Sequence, residues 1–169
     1  MTPRSTKDLK KWAKTLPRSE MVFPSSFHNR LKYVFWRGFT PVHPYLKNTL
    51  RLVGINLVAR QFQDERGRQD FLIGKVAPGQ TIEEVVWFLI ENGYGNHFIA
   101  WKDAGEVVSL RYLEGFDYQY HIRIFADGEV RGHYEYTPEA YPVSHIRQKN
   151  FQDRRDEFLD LLGDRIIIV

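Results

Sequence analysis

The clearest hydrophobic periodicity in the chain lies between residues 81 and 93. Ile82, Val85, Val86, Leu89 and Ile90 recur at helical spacing and put one apolar stripe on an α-helix. Thr81 and Glu84 have the spacing of a capping box, and Asn92-Gly93 supplies a left-handed stop. Trp87 and Phe88 flank the stripe and are expected to widen its buried face. A second stripe, Leu9, Trp12, Ala13 and Leu16, follows a Ser5 or Thr6 cap, with Lys7, Lys10, Lys11 and Lys14 on the opposite side and Pro17 as the stop. Residues 150–162 read as a last helix, with Phe151, Phe158, Leu159 and Leu162 facing inward and Gly163 ending it.

Elsewhere the period is two. Residues 97–103 and 106–113 flank Asp103-Ala104-Gly105, and residues 118–125 and 129–136 flank Ala126-Asp127-Gly128, which reads as two hairpins. For the second hairpin the faces fix the register. A two-residue turn would set Ile122 opposite His133 and mix polar with apolar. A three-residue loop with Gly128 in a left-handed bulge pairs Phe125 with Glu129 instead. Tyr118, Tyr120, Ile122 and Ile124 then face Val130, Gly132, Tyr134 and Tyr136, while Gln119, His121 and Arg123 face Arg131, His133 and Glu135. Residues 27–39 also alternate, aromatic against cationic, and are expected to form a strand within an otherwise irregular stretch 18–49. Residues 50–62 fit a strand that pairs with 70–76, with a helix as the alternative. The tail Ile166-Ile167-Ile168-Val169 is uncharged and β-branched, so it is expected to pair as a strand or to dock on a protein partner or a second copy.

These elements add up to an α+β fold: an antiparallel sheet built from β-hairpins, two or three covering helices and a basic N-terminal arm. The expected division is residues 1–48 for the arm and 49–169 for the core domain.

Charge sharpens that division. The net charge of +3 conceals two opposed blocks. Residues 1–60 hold 12 Lys/Arg and two acids, Asp8 and Glu20, a net of +10; the rest hold 12 Lys/Arg and 19 acids, a net of −7. The basic block also carries eight aromatic residues. Cations neutralise phosphates and release counterions, and exposed rings stack on bases. This pattern points to single-stranded or structured RNA or DNA, with Lys10, Lys11, Lys14, Arg18, Arg30, Lys32, Tyr33, Trp36, Arg37, Lys47, Arg51, Arg123 and Arg131 as contacts. The competing expectation is that most of these rings belong to the core.

The second hairpin carries the candidate chemistry. His121 and His133 become cross-strand neighbours with Arg123, Arg131 and Glu135 beside them. Two histidines can serve as general base and acid, and arginines can hold a phosphate, so a metal-independent ribonuclease-like activity of His121, His133 and Glu135 is the enzymatic alternative. The same residues could hold a metal as a two-histidine, one-carboxylate set, but the adjacent arginines disfavour a cation, so no cofactor is expected. A passive polar face exposed to solvent is the simplest alternative. His145 could join the group; His28, His43 and His97 are expected to be solvated or capping residues. A non-catalytic subunit of a larger assembly is the third reading.

Several classes are excluded. The chain has no cysteine, so it has no disulfide, thiolate zinc site or cysteine nucleophile. It has no phosphate-binding glycine loop, dinucleotide fingerprint, zinc-protease helix or calcium-binding loop. Its apolar runs are far shorter than a membrane span, and no apolar stretch follows the early basic residues, so a cytoplasmic location is expected.

Overall fold

Local sequence sets most of the helices. In the computed structural model, which describes residues 5–42, 71–97, 105–146 and 152–169, α1 (Thr6–Trp12) starts at Ser5, whose hydroxyl accepts from the Asp8 backbone N–H. A 3-10 turn, Ala13–Thr15, continues it. α2 (Phe27–Phe39) starts at Ser26 in the same way, and α3 (Ile82–Glu91) starts at the Thr81–Glu84 capping box. Two more helices, α4 (Pro142–Ile146) and α5 (Arg155–Leu162), lie near the C-terminus.

Six strands form one sheet: β1 (Leu72–Val76), β2 (Gly95–Asn96), β3 (Glu106–Glu114), β4 (Tyr118–Phe125), β5 (Glu129–Tyr136) and β6 (Ile166–Ile167). Their order is β2-β3-β4-β5-β1-β6, with every described pairing antiparallel. The β4–β5 register is the one the polar and apolar faces require: His121 opposite His133, Arg123 opposite Arg131, Gln119 opposite Glu135 and Ile122 opposite Gly132. Gly128 takes a positive φ of 84° in the connecting loop. Ile166 and Ile167 of the tail pair with β1 at the sheet edge, as their β-branched sequence predicts, and Ile168 and Val169 are exposed beyond it.

The apolar face packs Val108, Leu110, Ile122, Ile124, Val130 and Ile73 against Val85, Val86 and Leu89 of α3 and Phe158 and Leu162 of α5. Leu9, Ala13 and Leu16 join the same core, so the first basic helix packs on the body of the fold. Gly132 leaves room for Ile73 and Phe158. A Cβ there would sit 2.7 Å from Ile73 Cδ1 and 3.0 Å from Phe158 Cζ.

Four expectations need correction. Residues 27–39 form a helix instead of a strand, because Ser26 caps them and Asn29, Lys32, Tyr33 and Trp36 make one face at helical spacing. Trp87 is exposed and does not widen the buried face of α3. The last helix starts at Arg155. The polar face of the sheet is not a solvent face: Ser109, Arg111, Gln119, His121, His133 and Glu135 are all buried. The expected strand at 50–62, the boundary at 48, His43, Lys47, Arg51 and Phe151 lie outside the described residues.

Candidate functional site

Side chains on a strand alternate between faces, so the register decides which polar groups meet. β3 and β4 pair with Glu114 opposite Tyr118 and Arg111 opposite His121, which places Ser109 and Arg111 on the face of His121. β5 adds His133 and Glu135 to the same face. His97, just after β2, donates its backbone N–H to the Ser109 carbonyl and completes a row of three imidazoles. The His97 and His121 ring centres are 5.4 Å apart, and those of His121 and His133 are 5.0 Å apart, both near-perpendicular.

Glu135 is the hub. Its Oε1 accepts from Gln119 Nε2 at 2.7 Å and lies 3.2 Å from His121 Nδ1 and 3.3 Å from His133 Nε2. Its Oε2 lies 3.1 Å from Nδ1 of His145, which α4 brings in and which also lies 3.0 Å from the Tyr136 carbonyl oxygen. Ser109 Oγ lies 2.8 Å from His121 Nε2. Gln119 links this group to a second buried centre through its Oε1, which accepts from Arg111 at 3.2 Å. Arg111 makes a two-pronged ion pair with Glu139 at 3.0 and 2.7 Å and donates to Ser19 Oγ at 2.6 Å.

The environments push these groups apart. Burial lowers the His121 pKa to about 4 against the pull of Glu135, so its imidazole is neutral at pH 7. Burial, with Arg111 adding to it, takes His97 well below the usual histidine range. Burial opposes the charge of Glu135, but His145 and His133 hold its carboxyl well below the usual range. Burial also opposes the charge of His145, and Glu135 overrides it and raises the pKa. The neutral base and the readily charged imidazole are thus His121 and His145, on either side of one carboxylate. Among the described residues, His121, His133 and Glu135 each bring one ligand atom within 4.8 Å of the others, so these three could hold a metal.

The structure joins the three catalytic candidates His121, His133 and Glu135 and adds His145, as the sequence allowed. His97 is a correction: it is 3% exposed, and neither ring nitrogen has a hydrogen-bond partner among the described residues. Ser109, Arg111 and Glu139 were missed, and Gln119 was placed on this face without a role. The three residues Gly115-Phe116-Asp117 between β3 and β4 were the available signal, because the loop logic used at 126–128 places Ser109 and Arg111 on the histidine face.

The nucleic-acid candidates divide. Lys11, Lys14, Arg18, Arg30 and Arg37 are exposed and Lys10 is half-buried. Lys32, Tyr33 and Trp36 anchor α2 to the body: Lys32 Nζ donates to the Ala140 carbonyl at 2.7 Å, Trp36 Nε1 donates to that of Glu139 at 3.0 Å, and Tyr33 packs on Phe23 and Phe116. Arg131 donates to Glu129 at 2.8 Å, and Arg123 is half-buried one residue pair beyond the histidines. The outward side of α2 instead carries Phe27, Leu31, Val34 and Phe35, each more than half exposed, with Arg30 and Arg37 along one edge. Phe23, just before the helix, is 61% exposed, under the guanidinium of Arg30. Among the described residues, no helix is long and apolar enough to cross a membrane.

Comparison with known proteins adds no relative: no protein-family model, curated protein or solved structure matches the chain.

Proposed function

We propose that the protein binds single-stranded or structured nucleic acid through the outward side of α2 and the lysines of α1. The observation that carries this reading is the exposure of Phe23, Phe27 and Phe35 beside Arg30 and Arg37. Burying such rings is the ordinary outcome; here Asn29, Lys32, Tyr33 and Trp36 make the contacts with the body, and Phe27 and Phe35 face outward. Each ring that stacks on a base contributes about 1–3 kcal/mol, and each phosphate neutralised on a single strand adds about 0.7 to the slope of log affinity against log salt.

Leu31 and Val34, in the middle of the same stripe, favour a second reading, an apolar protein partner that makes this chain a subunit of an assembly. Fluorescence anisotropy with labelled RNA and DNA strands at two salt concentrations separates the two. Binding that weakens with salt, and weakens further in Phe27→Ala and Phe35→Ala, supports the nucleic-acid reading. No binding at low salt, or binding without a salt slope, refutes it.

A further inference from the structure

We propose that the buried polar face of the sheet is a divalent-metal site that holds zinc through His121 Nδ1, His133 Nε2 and Glu135 Oε1. This inference stands apart from the reading of α2 and uses none of its residues.

The donor set is the first argument. Two imidazoles and one carboxylate are a recurrent set for zinc and related borderline cations. The spacing is the second. Two ligands bound to tetrahedral zinc at about 2.0–2.1 Å are about 3.3–3.4 Å from each other. Glu135 Oε1 lies 3.2 Å from His121 Nδ1 and 3.3 Å from His133 Nε2, and one ligand atom of each of the three residues lies within 4.8 Å of the others.

Direction is the third argument. The His121–Glu135 approach is short, but the ring nitrogen does not aim at the oxygen, so His121 Nδ1 is buried without a hydrogen-bond partner. Such an orphaned polar atom costs about 1–3 kcal/mol. Ser109 holds the other nitrogen of the ring at 2.8 Å. With Ser109 accepting from Nε2–H, Nδ1 carries a lone pair close to a carboxylate, an arrangement that a cation between them converts from repulsion to attraction.

Support from behind the ligands is the fourth. Metal-binding histidines and carboxylates are oriented by outer partners. Here Ser109 orients His121, Gln119 Nε2 donates to Glu135 Oε1 at 2.7 Å, and His145 stands at Oε2. The ligands sit on paired strands, which fix their spacing better than loops would. Two of the nearby arginines are neutralised, since Arg111 is paired with Glu139 and Arg131 with Glu129, and Arg123 is half-buried one residue pair further along the face. Three protein ligands leave a coordination position on the ion, the arrangement of reactive rather than purely structural zinc.

The test uses the full chain without a histidine tag, stripped with chelator. Zinc uptake is read by calorimetry and by metal analysis, and Co2+ is added as a spectroscopic probe. Expected are one zinc per chain and a visible cobalt band of tetrahedral type. Ser109→Ala, a small change in a strand, should weaken zinc about 10–100-fold. Glu135→Gln should weaken it further and diminish the cobalt band. Stripped wild-type protein that takes up no zinc at micromolar concentrations overturns the proposal, and so does a Glu135→Gln variant with wild-type affinity and spectrum. Should Glu135→Gln fail to fold, wild-type uptake and Ser109→Ala decide.

Discussion

Acidification should destabilise this fold well above the pH at which its carboxylates protonate, because it buries neutral histidines. His121 ionises near 6.5 in an unfolded chain and near 4 in the fold. Between those values the unfolded state holds more protons, so the stability due to the neutral ring is complete above 6.5 and drains away as the pH falls towards 4. At about pH 5 the loss from this one residue is about 2 kcal/mol, and its ceiling below pH 4 is about 3 kcal/mol. His97, lowered by burial, adds to the loss in the same direction. His145 has the opposite sign: its raised pKa gives a contribution that is complete below 6.5 and is lost as the pH rises through its folded value. Glu135, held down by the histidines, contributes above 4.5 and loses that contribution only on stronger acidification. Urea unfolding followed by circular dichroism, in chelator, at about pH 7.5 and pH 5 measures the balance. Wild-type protein should lose stability between the two, and His121→Gln should lose about 2 kcal/mol less than wild type. A His121→Gln variant with the wild-type pH dependence would refute the neutral buried ring.

Two further predictions concern packing and charge. Gly74→Ala would drive a Cβ into the Ile167 carbonyl, whose carbon is 3.1 Å away, so β6 should detach at a cost of about 1–3 kcal/mol. Hydrogen exchange should show lost protection at residues 166–167, and unchanged protection there would count against the pairing. Glu139→Ala leaves Arg111 buried and unpaired and should cost about 3–5 kcal/mol, whereas Arg111→Met with Glu139→Leu should recover more than half of that. Additive losses in this double-mutant cycle would contradict a coupled pair.

Where one stretch of chain contains its own instructions, the sequence was readable. The Thr81–Glu84 capping box, the stripe behind it, the Ser5 start and the Gly128 bulge each rest on contacts a few residues apart, and each appears as read. The β4–β5 register was equally legible, because one slip would have put histidines among isoleucines. The same local logic failed for residues 27–39. Alternating rings and cations suggest a strand, yet their helix is chosen by Ser26 at its start and by distant partners at Asp117, Glu139 and Ala140.

The sequence by itself determined that His121, His133 and Glu135 share one face of a hairpin, since alternation and loop length are local properties. What that face meets was decided by tertiary structure. His97, Ser109, Arg111, Glu139 and His145 come from other strands, turns and a helix, and burial turns a polar strip into a desolvated network. Water would screen the same residues into indifference at a surface; away from water, their lone pairs and charges must satisfy one another, and that demand gives the group its chemistry.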